Sequence, residues 1–351
     1  MAHPIRALTV SLLALTAPGC LEREESLAIQ PDGAILVSHV FTGPEAELAA
    51  GGDALPHGQP WTIDERRERS QDGKELLVRE ARARFEGVAA LPTSFARADD
   101  PAALQFRTAL AIEPLEDGST RYTFERRYLP RAWAWHQRLE RDVPAALRES
   151  VRERPLTELG AAVLEGLLEL ELRLRQELLE QAFQDMSAEG SWDQPTLARL
   201  ILRARGALAT RFRGTWGVED AHEGLRADQA GRERLEAEYR EEVRDMVVEV
   251  GTWAMLVEGA PLETRQRLAS RLGEEYRLAE RRLRVTQDLQ DDAFVLRVTF
   301  PGPVTLAGQG ELQDDGRTVV FRFSGQDLND APLVLRATAV APADGPSPQE
   351  G

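Results

Sequence analysis

The chain has 351 residues, of which 42% are hydrophobic and 29% are charged. This composition supports buried cores in two or three domains, or in one domain with a large insertion. The formal net charge of −16 argues against nucleic acid as a partner, because phosphates repel so acidic a protein. The only cysteine is Cys20, which excludes an intramolecular disulfide, so stability has to come from packing alone.

The amino terminus has the layout of a secretory signal peptide. Arg6 precedes an apolar run from Ala7 to Leu15, and small residues follow up to Cys20. The run is too short to span a bilayer, which favours a cleaved signal over a membrane helix. We therefore expect residues 1–19 to be removed on export, and loss of Arg6 brings the net charge from −16 to −17.

The end of this segment carries a resemblance to a known class of proteins. The four residues Ala17-Pro18-Gly19-Cys20 resemble the lipobox of bacterial lipoproteins. The resemblance implies cleavage between Gly19 and Cys20 and attachment of diacylglycerol to the Cys20 thiol, which anchors the chain to a membrane. The expected location is a bacterial membrane, on its periplasmic face or at the cell surface. The alternative is an ordinary signal peptide with an incidental cysteine.

The next part of the chain, from Ser26 to about Leu129, has the period-two pattern of half-buried strands. Asp-Gly pairs at 32–33, 72–73 and 117–118 predict turns between these strands. His39 lies on the apolar side of its strand, so we expect it in the core. Three apolar sets alternate, the last with Arg126 interrupting it: Ile35, Val37 and Phe41; Phe106, Leu110 and Ile112; Tyr122, Phe124 and Tyr128.

Two stretches of this β-rich part are harder to interpret. Residues 42–60 are rich in Gly and Pro and predict a long loop. Residues 65–90 fit either a strand or an amphipathic helix, and we favour a strand followed by a short helix.

The period becomes helical between about Pro144 and Leu283. Apolar residues recur at spacings of three and four from Leu156 to Leu178, which predicts a helix that packs on more than one neighbour. Ser191 or Asp193 is expected to cap the second helix, with Pro195 in its first turn. Two further helices are predicted, from about Ala227 to Glu258 through Trp253, and from Leu262 to Leu283.

The alternating pattern returns from Ala293 onward. The predicted strands contain Phe294 to Phe300, Val319 to Phe323 and Leu333 to Ala339, with a turn at Asp315-Gly316. About 48 residues bury too little surface to fold alone, so we expect these strands to share one core with the strands before Leu129.

The predicted fold class is therefore α+β: a mostly antiparallel β domain, built from both ends of the mature chain and interrupted by a four-helix, bundle-like segment. The predicted division of the chain has five parts: a signal peptide at 1–19, a β-rich part at 20–143, a helical insertion at 144–285, a second β-rich part at 286–340 that completes the first, and a disordered tail at 341–351.

The β segments carry a second resemblance. Strand, Asp-Gly turn and strand follow Cys20 between Leu27 and Phe41, and the late segment reads FVLRVTFPGPVTLAGQGELQDDGRTVVFRF. Both segments resemble those of LppM-type bacterial lipoproteins and of lipoproteins of planctomycete-like bacteria, over about a third of the chain. The resemblance implies an α+β, envelope-facing domain without established enzymatic chemistry.

Motifs for catalysis or metal binding do not emerge from the sequence. Five histidines are present, and their spacing does not match that of a zinc site. His136 and Glu140 lie one helical turn apart, which fits a metal or acid–base pair, although we favour an aromatic cluster with a surface ion pair. The sequence lacks both a nucleophile elbow and a phosphate-binding loop. We therefore expect no catalytic residue, no metal and no cofactor.

Three functions remain open on the sequence alone. The first is a non-enzymatic envelope protein, attached to a membrane through Cys20, whose helical segment binds an envelope protein partner or serves a structural role. The second is a carrier of lipid or another apolar ligand between sheet and helices. The third is an envelope hydrolase that uses scattered carboxylates.

Overall fold

The computed structural model describes residues 22–43, 45, 58–69, 75–94, 101–137, 159–188, 192–216, 229–256, 261–290 and 292–343. The protein is α+β, with strand-rich regions on both sides of a helical segment, which confirms the predicted class. Two units are present: a β unit (Pro18–Trp133 with Arg282–Gly351) and a helical unit that includes Ala134–Arg281. The predicted boundary at 143/144 and the predicted signal peptide lie outside the described residues.

The β unit contains two sheets, and both contain strands from the two ends of the chain. Sheet A is formed by β1 (Glu22–Ile29), β2 (Ile35–Gly43), β3 (Thr62–Arg69), β4 (Glu75–Phe85), β7 (Ala293–Thr299), β9 (Glu311–Leu312) and β10 (Thr318–Ser324). Their order is β3-β4-β2-β1-β7-β10-β9. Every neighbouring pair is antiparallel except β1 and β7, which run parallel with Leu27 opposite Val298.

Sheet B is smaller and is entirely antiparallel. It is formed by β5 (Phe106–Pro114), β6 (Thr120–Tyr128), β8 (Val304–Leu306) and β11 (Leu333–Ala341). Their order is β5-β6-β11-β8, so β11, the last strand among the described residues, lies beside β6. The expected pairing of the late strands with the early ones is thus present in both sheets.

The core of the β unit lies between these sheets. The Tyr128 ring of sheet B and the Phe323 ring of sheet A have centroids 5.1 Å apart. His39 is buried, as predicted. Most of the predicted core side chains on both sheets are buried: Ile35, Val37, Phe41, Phe106, Tyr122, Phe124, Phe294, Leu296, Val298, Phe300, Val319 and Phe321. On the edge strand β5, however, Leu110 is only half-buried and Ile112 is 41% exposed, contrary to the prediction.

The structure corrects three sequence interpretations in the β unit. Strand β2 continues to Gly43, into the predicted loop, of which residues 44 and 46–57 lie outside the described residues. Residues 65–90 hold two strands, β3 and β4, followed by a single 3-10 turn at Val88–Ala90. Ala341, assigned to the tail, ends β11 and is buried. All eight residues of β3 are exposed, so its sequence lacks the alternation that a half-buried strand shows.

The helical unit contains four long helices among its described residues. They are α1 (Leu159–Ser187), α2 (Gln194–Thr215), α3 (Gln229–Met255) and α4 (Leu262–Leu289), whose last residues belong to the β unit. Asp193 caps α2, since its carboxylate accepts a hydrogen bond from the Thr196 backbone N–H at 2.9 Å, and Pro195 lies in the first turn. Ser191, the alternative cap, lies outside the described residues.

Two expectations about these helices are wrong. Helix α4 continues to Leu289, past the predicted end at Leu283, because Val285 and Leu289 extend its buried face. Trp253, predicted on the packed face of α3, is 50% exposed, and the guanidinium of Arg203 lies 4.0 Å from its ring centre. The buried row of α3 passes instead through Tyr239, Val243, Val247, Val250 and Ala254.

Candidate functional site

The predicted lipidation site precedes the described part of the chain. Gly19 and Cys20 lie outside the described residues, and β1 begins at Glu22, two residues after the cysteine. The first element that the structure describes at this end is therefore β1.

The first half of β1 places charged side chains on its buried face. Residues of β1 alternate between the two faces of sheet A, and the buried positions are Arg23, Glu25, Leu27 and Ile29. Burial of an ionised group costs several kcal/mol unless it is paired and hydrogen-bonded. The partners of Arg23 and Glu25 therefore decide what this region can do.

Glu25 is paired with Arg126, which lies on β6 in the opposite sheet. Arg126 Nη1 donates to Glu25 Oε2 at 2.8 Å, and Nη2 donates to Oε1 at 2.9 Å. Only 1% of the Arg126 side chain is exposed, and the Phe106 ring lies 4.3 Å from its guanidinium carbon. Such a two-bonded, planar pair fixes both distance and orientation, so it joins β1 and β6 in one relative position.

A histidine completes the surroundings of the Glu25 carboxylate. His39 Nε2, on β2, lies 3.5 Å from Glu25 Oε1. Burial by itself raises the pKa of Glu25, but the charges of Arg126 and His39 and their hydrogen bonds outweigh it and bring the pKa to about 2. The carboxylate is therefore ionised at neutral pH and cannot serve as a general acid.

A second buried ion pair lies beside the first and joins β1 to the start of β7. Arg23 Nε donates to Asp292 Oδ2 at 2.7 Å, and both side chains are more than nine-tenths buried. The Arg23 guanidinium carbon lies 5.0 Å from the Phe41 ring centre and 5.6 Å from that of Phe294. The aromatic rings shield the pair from water, which strengthens its attraction.

The two ion pairs border a small pocket between the sheets. Its volume is about 30 Å³, and its lining includes Arg23, Glu25, His39, Phe41, Phe106 and Phe294. This space is on the scale of one or two water molecules. We name these five charged or titratable residues, Arg23, Glu25, His39, Arg126 and Asp292, the intersheet cluster.

The sequence pattern alone does not reveal the intersheet cluster. Arg126 interrupts an apolar set, and the clear β pattern begins at Ser26, after Arg23 and Glu25. A signal was nevertheless present: Glu25 and Arg126 both occupy buried positions of alternating strands, and they carry opposite charges. That coincidence predicts a buried ion pair between two strands.

The helical unit holds its own buried polar network. Arg175 of α1 donates to Glu171 at 2.7 Å, to Glu280 at 2.6 Å and to the Tyr276 hydroxyl at 3.3 Å. The Tyr239 hydroxyl donates to Glu171 at 3.4 Å. These bonds connect α1, α3 and α4. Burial is the largest cause that raises the pKa of both tyrosines, so both hydroxyls stay neutral.

His136, the other histidine singled out in the sequence, is buried beside Trp135. The two ring centres are 5.6 Å apart in an edge-on arrangement. Burial lowers the pKa of His136 to about 4, so the imidazole is neutral at neutral pH. Glu140, its expected neighbour on the helix, lies outside the described residues.

Within the described ranges, His, Cys, Asp and Glu side chains form no group of three or more that could hold a metal ion. Among those same residues, no helix has the length and apolar character needed to cross a membrane. The chain matches no family model, no curated protein and no solved structure.

Proposed function

We propose that this chain is a lipid-anchored bacterial envelope protein with a non-enzymatic role, held against a membrane through Cys20. The observation that carries the proposal is the start of β1 at Glu22, immediately after a cysteine that ends a signal-like segment. Two residues of extended chain span at most about 7 Å, so the proposed anchor lies close to sheet A.

The position of β1 within sheet A makes this attachment firm. β1 lies between β2 and β7, and both neighbours are paired with it along its whole length or nearly so. An anchor close to an inner strand holds the β unit at the membrane surface. A lipidated protein joined to its anchor through a long linker can instead move away from the surface. This favours a structural or partner-binding role at the surface.

The intersheet cluster supports the non-enzymatic interpretation. A carboxylate with a pKa of about 2, bonded to Arg126 through both oxygens, is poorly suited to take or give a proton near neutral pH. The pocket beside it, at about 30 Å³, is far below the ~300 Å³ at which ligand sites begin. This pocket therefore favours neither a hydrolase nor a carrier.

The helical unit offers apolar side chains to a partner. Leu202 on α2 is 75% exposed, Leu262 at the start of α4 is 69% exposed, and Trp253 on α3 is 50% exposed. A groove of about 820 Å³ lies between α1 and α2 and includes Leu202. A groove of this size, with exposed Leu202 in its lining, favours binding of an envelope protein partner.

The proposal is tested by replacing the acylated residue in the native host. Cys20→Ser is expected to abolish incorporation of labelled fatty acid and to move the protein from the membrane fraction. Leu21→Ala, which keeps the thiol, serves as the matched control and retains both properties. The anchor would be refuted if mass spectrometry of the parent protein found an amino terminus at Cys20 or later that carries no diacylglycerol.

A further inference from the structure

The outer edge of β5 differs from the other sheet edges of the β unit. Sheet A ends in β3, whose eight residues include six charged ones, and in β9, which is two residues long. Sheet B ends in β8, three residues long, and in β5, which is nine residues long. Charge and shortness protect an edge from pairing with another strand, and the central residues of β5, Thr108–Ile112, have neither protection.

The backbone hydrogen-bonding groups of every second residue in this central stretch point away from β6. The N–H groups of Leu129 and Leu115 bond to the carbonyls of Gln105 and Ser119, so odd-numbered residues of β5 face β6. In an antiparallel ladder the facing direction alternates along the strand. The backbone groups of Thr108, Leu110 and Ile112 are therefore directed outward, and no described strand pairs with them.

Both ends of this outward ladder are closed. The Phe106 N–H already donates to the Thr93 carbonyl at 2.8 Å, and Pro114 has no N–H to offer. The side chains along the ladder are half-buried or exposed, with Ile112 41% exposed. A strand added here would pair over Thr108–Ile112 and cover Leu110 and Ile112.

The sequence of β5 is complementary to itself in one antiparallel register. When Leu110 lies opposite its own copy, Thr108 lies opposite Ile112 and Ala109 lies opposite Ala111. The same register places Arg107 opposite Glu113, once on each side of the twofold axis. If the twofold axis passes through Ala109 or Ala111 instead, Arg107 no longer lies opposite Glu113, and both charge pairs are lost.

We propose that β5 is the contact through which two copies of this chain pair, edge to edge, around a twofold axis at Leu110. The contact forms about six backbone hydrogen bonds and two Arg107–Glu113 ion pairs. It also places an acidic side chain beside Arg107, which within its own sheet lies opposite Arg127. The pairing joins two four-stranded sheets into one of eight strands, as in other cases of strand addition.

Charge exchange across the contact tests this register. The full chain, purified in detergent with reductant present, is measured by sedimentation equilibrium over a range of concentrations. The parent protein is expected to be dimeric. Arg107→Glu and Glu113→Arg each replace two attractions by two repulsions and are expected to raise the dimer dissociation constant about tenfold or more. The double variant R107E/E113R restores the parent constant to within about threefold.

Mixing the two single variants gives a sharper result. One variant then carries two acidic residues at these positions and the other two basic ones, so the mixed dimer regains both attractions although each variant alone is weakened. Arg322→Glu, a matched charge change at an exposed position of β10 in the other sheet, is the control and leaves dimerisation unchanged. A parent protein that stays monomeric up to about 100 µM, or a dimer insensitive to the charge exchange, would overturn the proposal.

Discussion

At the scale of single residues, the buried pair of Arg126 and Glu25 fixes how β1 and β6 lie relative to one another. Each ion loses several kcal/mol of hydration when it is buried, and the pair regains this only while both hydrogen bonds are present. A buried ion pair of this kind does little for net stability. Its value is geometric, because only one relative position of β1 and β6 satisfies both charges.

We expect Arg126→Met to lower the free energy of unfolding by about 3–5 kcal/mol, because it leaves the Glu25 carboxylate buried without its bonded partner. The double variant R126M/E25L removes both charges and is expected to recover most of the loss. Urea unfolding followed by tryptophan fluorescence measures both effects. Arg127→Met, exposed on the same strand, is the control and changes stability by less than about 0.5 kcal/mol.

Equal losses in the single and the double variant would contradict this account, because they would show that packing around residue 126, and not the stranded charge, sets the cost. A loss confined to the single variant supports it. The comparison separates the two causes without reference to function.

The same pair shows where sequence reasoning stops at this scale. His39 was placed in the core because its neighbours two residues away are apolar, and that information is local. Glu25 and Arg126 are separated by 101 positions, and each appears locally as a polar residue out of pattern. The pairing follows only when the two strands are known to face one another, which is tertiary information.

At the scale of elements, the prediction succeeded where one face of an element is buried. The four helices and most strands have a clear period because their neighbours select apolar residues at regular spacing. The prediction was ambiguous for residues 65–90, because β3 pairs with β4 alone among the described strands and is exposed throughout, so its sequence has no alternation. The prediction for Trp253 was wrong for a related reason. Its apolar side chain fits the spacing of the α3 row, but the buried position in the structure is that of Ala254.

Two helical glycines should respond in opposite ways to the same substitution. Gly206 in α2 has nothing near the position where a Cβ would lie, so Gly206→Ala is expected to stabilise the helical unit by about 0.5–1 kcal/mol. Gly251 in α3 packs directly against Leu272 and Leu179, so Gly251→Ala is expected to destabilise it by about 1–3 kcal/mol. Urea unfolding followed by circular dichroism at 222 nm measures both.

The pair of substitutions is its own control, because the chemical change and the secondary structure are identical. If Gly251→Ala were as stabilising as Gly206→Ala, the close approach of α4 to α3 at Gly251 would be wrong. The opposite signs follow only from the difference in surroundings.

At the scale of the whole molecule, the β unit is assembled from segments more than 160 residues apart in the chain. β1 pairs with β7 in sheet A, and β6 pairs with β11 in sheet B. The early strands therefore lack a neighbour in each sheet until the late strands are present. The helical segment lies between the early and the late strands in the sequence. Near its two ends, Arg131 donates hydrogen bonds to the Thr286 hydroxyl and to the Arg282 carbonyl, which joins the chain before the segment to the chain after it.

Removal of the last strands should consequently unfold the first ones. A chain that ends at residue 292 lacks β7, β10 and β11, so β1 loses one of its two neighbours and the apolar faces of both sheets lose their cover. We expect the β part of this chain to lose its cooperative thermal transition, while the helical ellipticity at 222 nm persists because the buried rows of α1, α2 and α3 remain paired. A chain that lacks only residues 344–351 is the control and melts as the parent does. Retention of a cooperative β transition in the long truncation would show that the early strands form a core of their own, and limited proteolysis would then recover residues 22–133 as a resistant fragment.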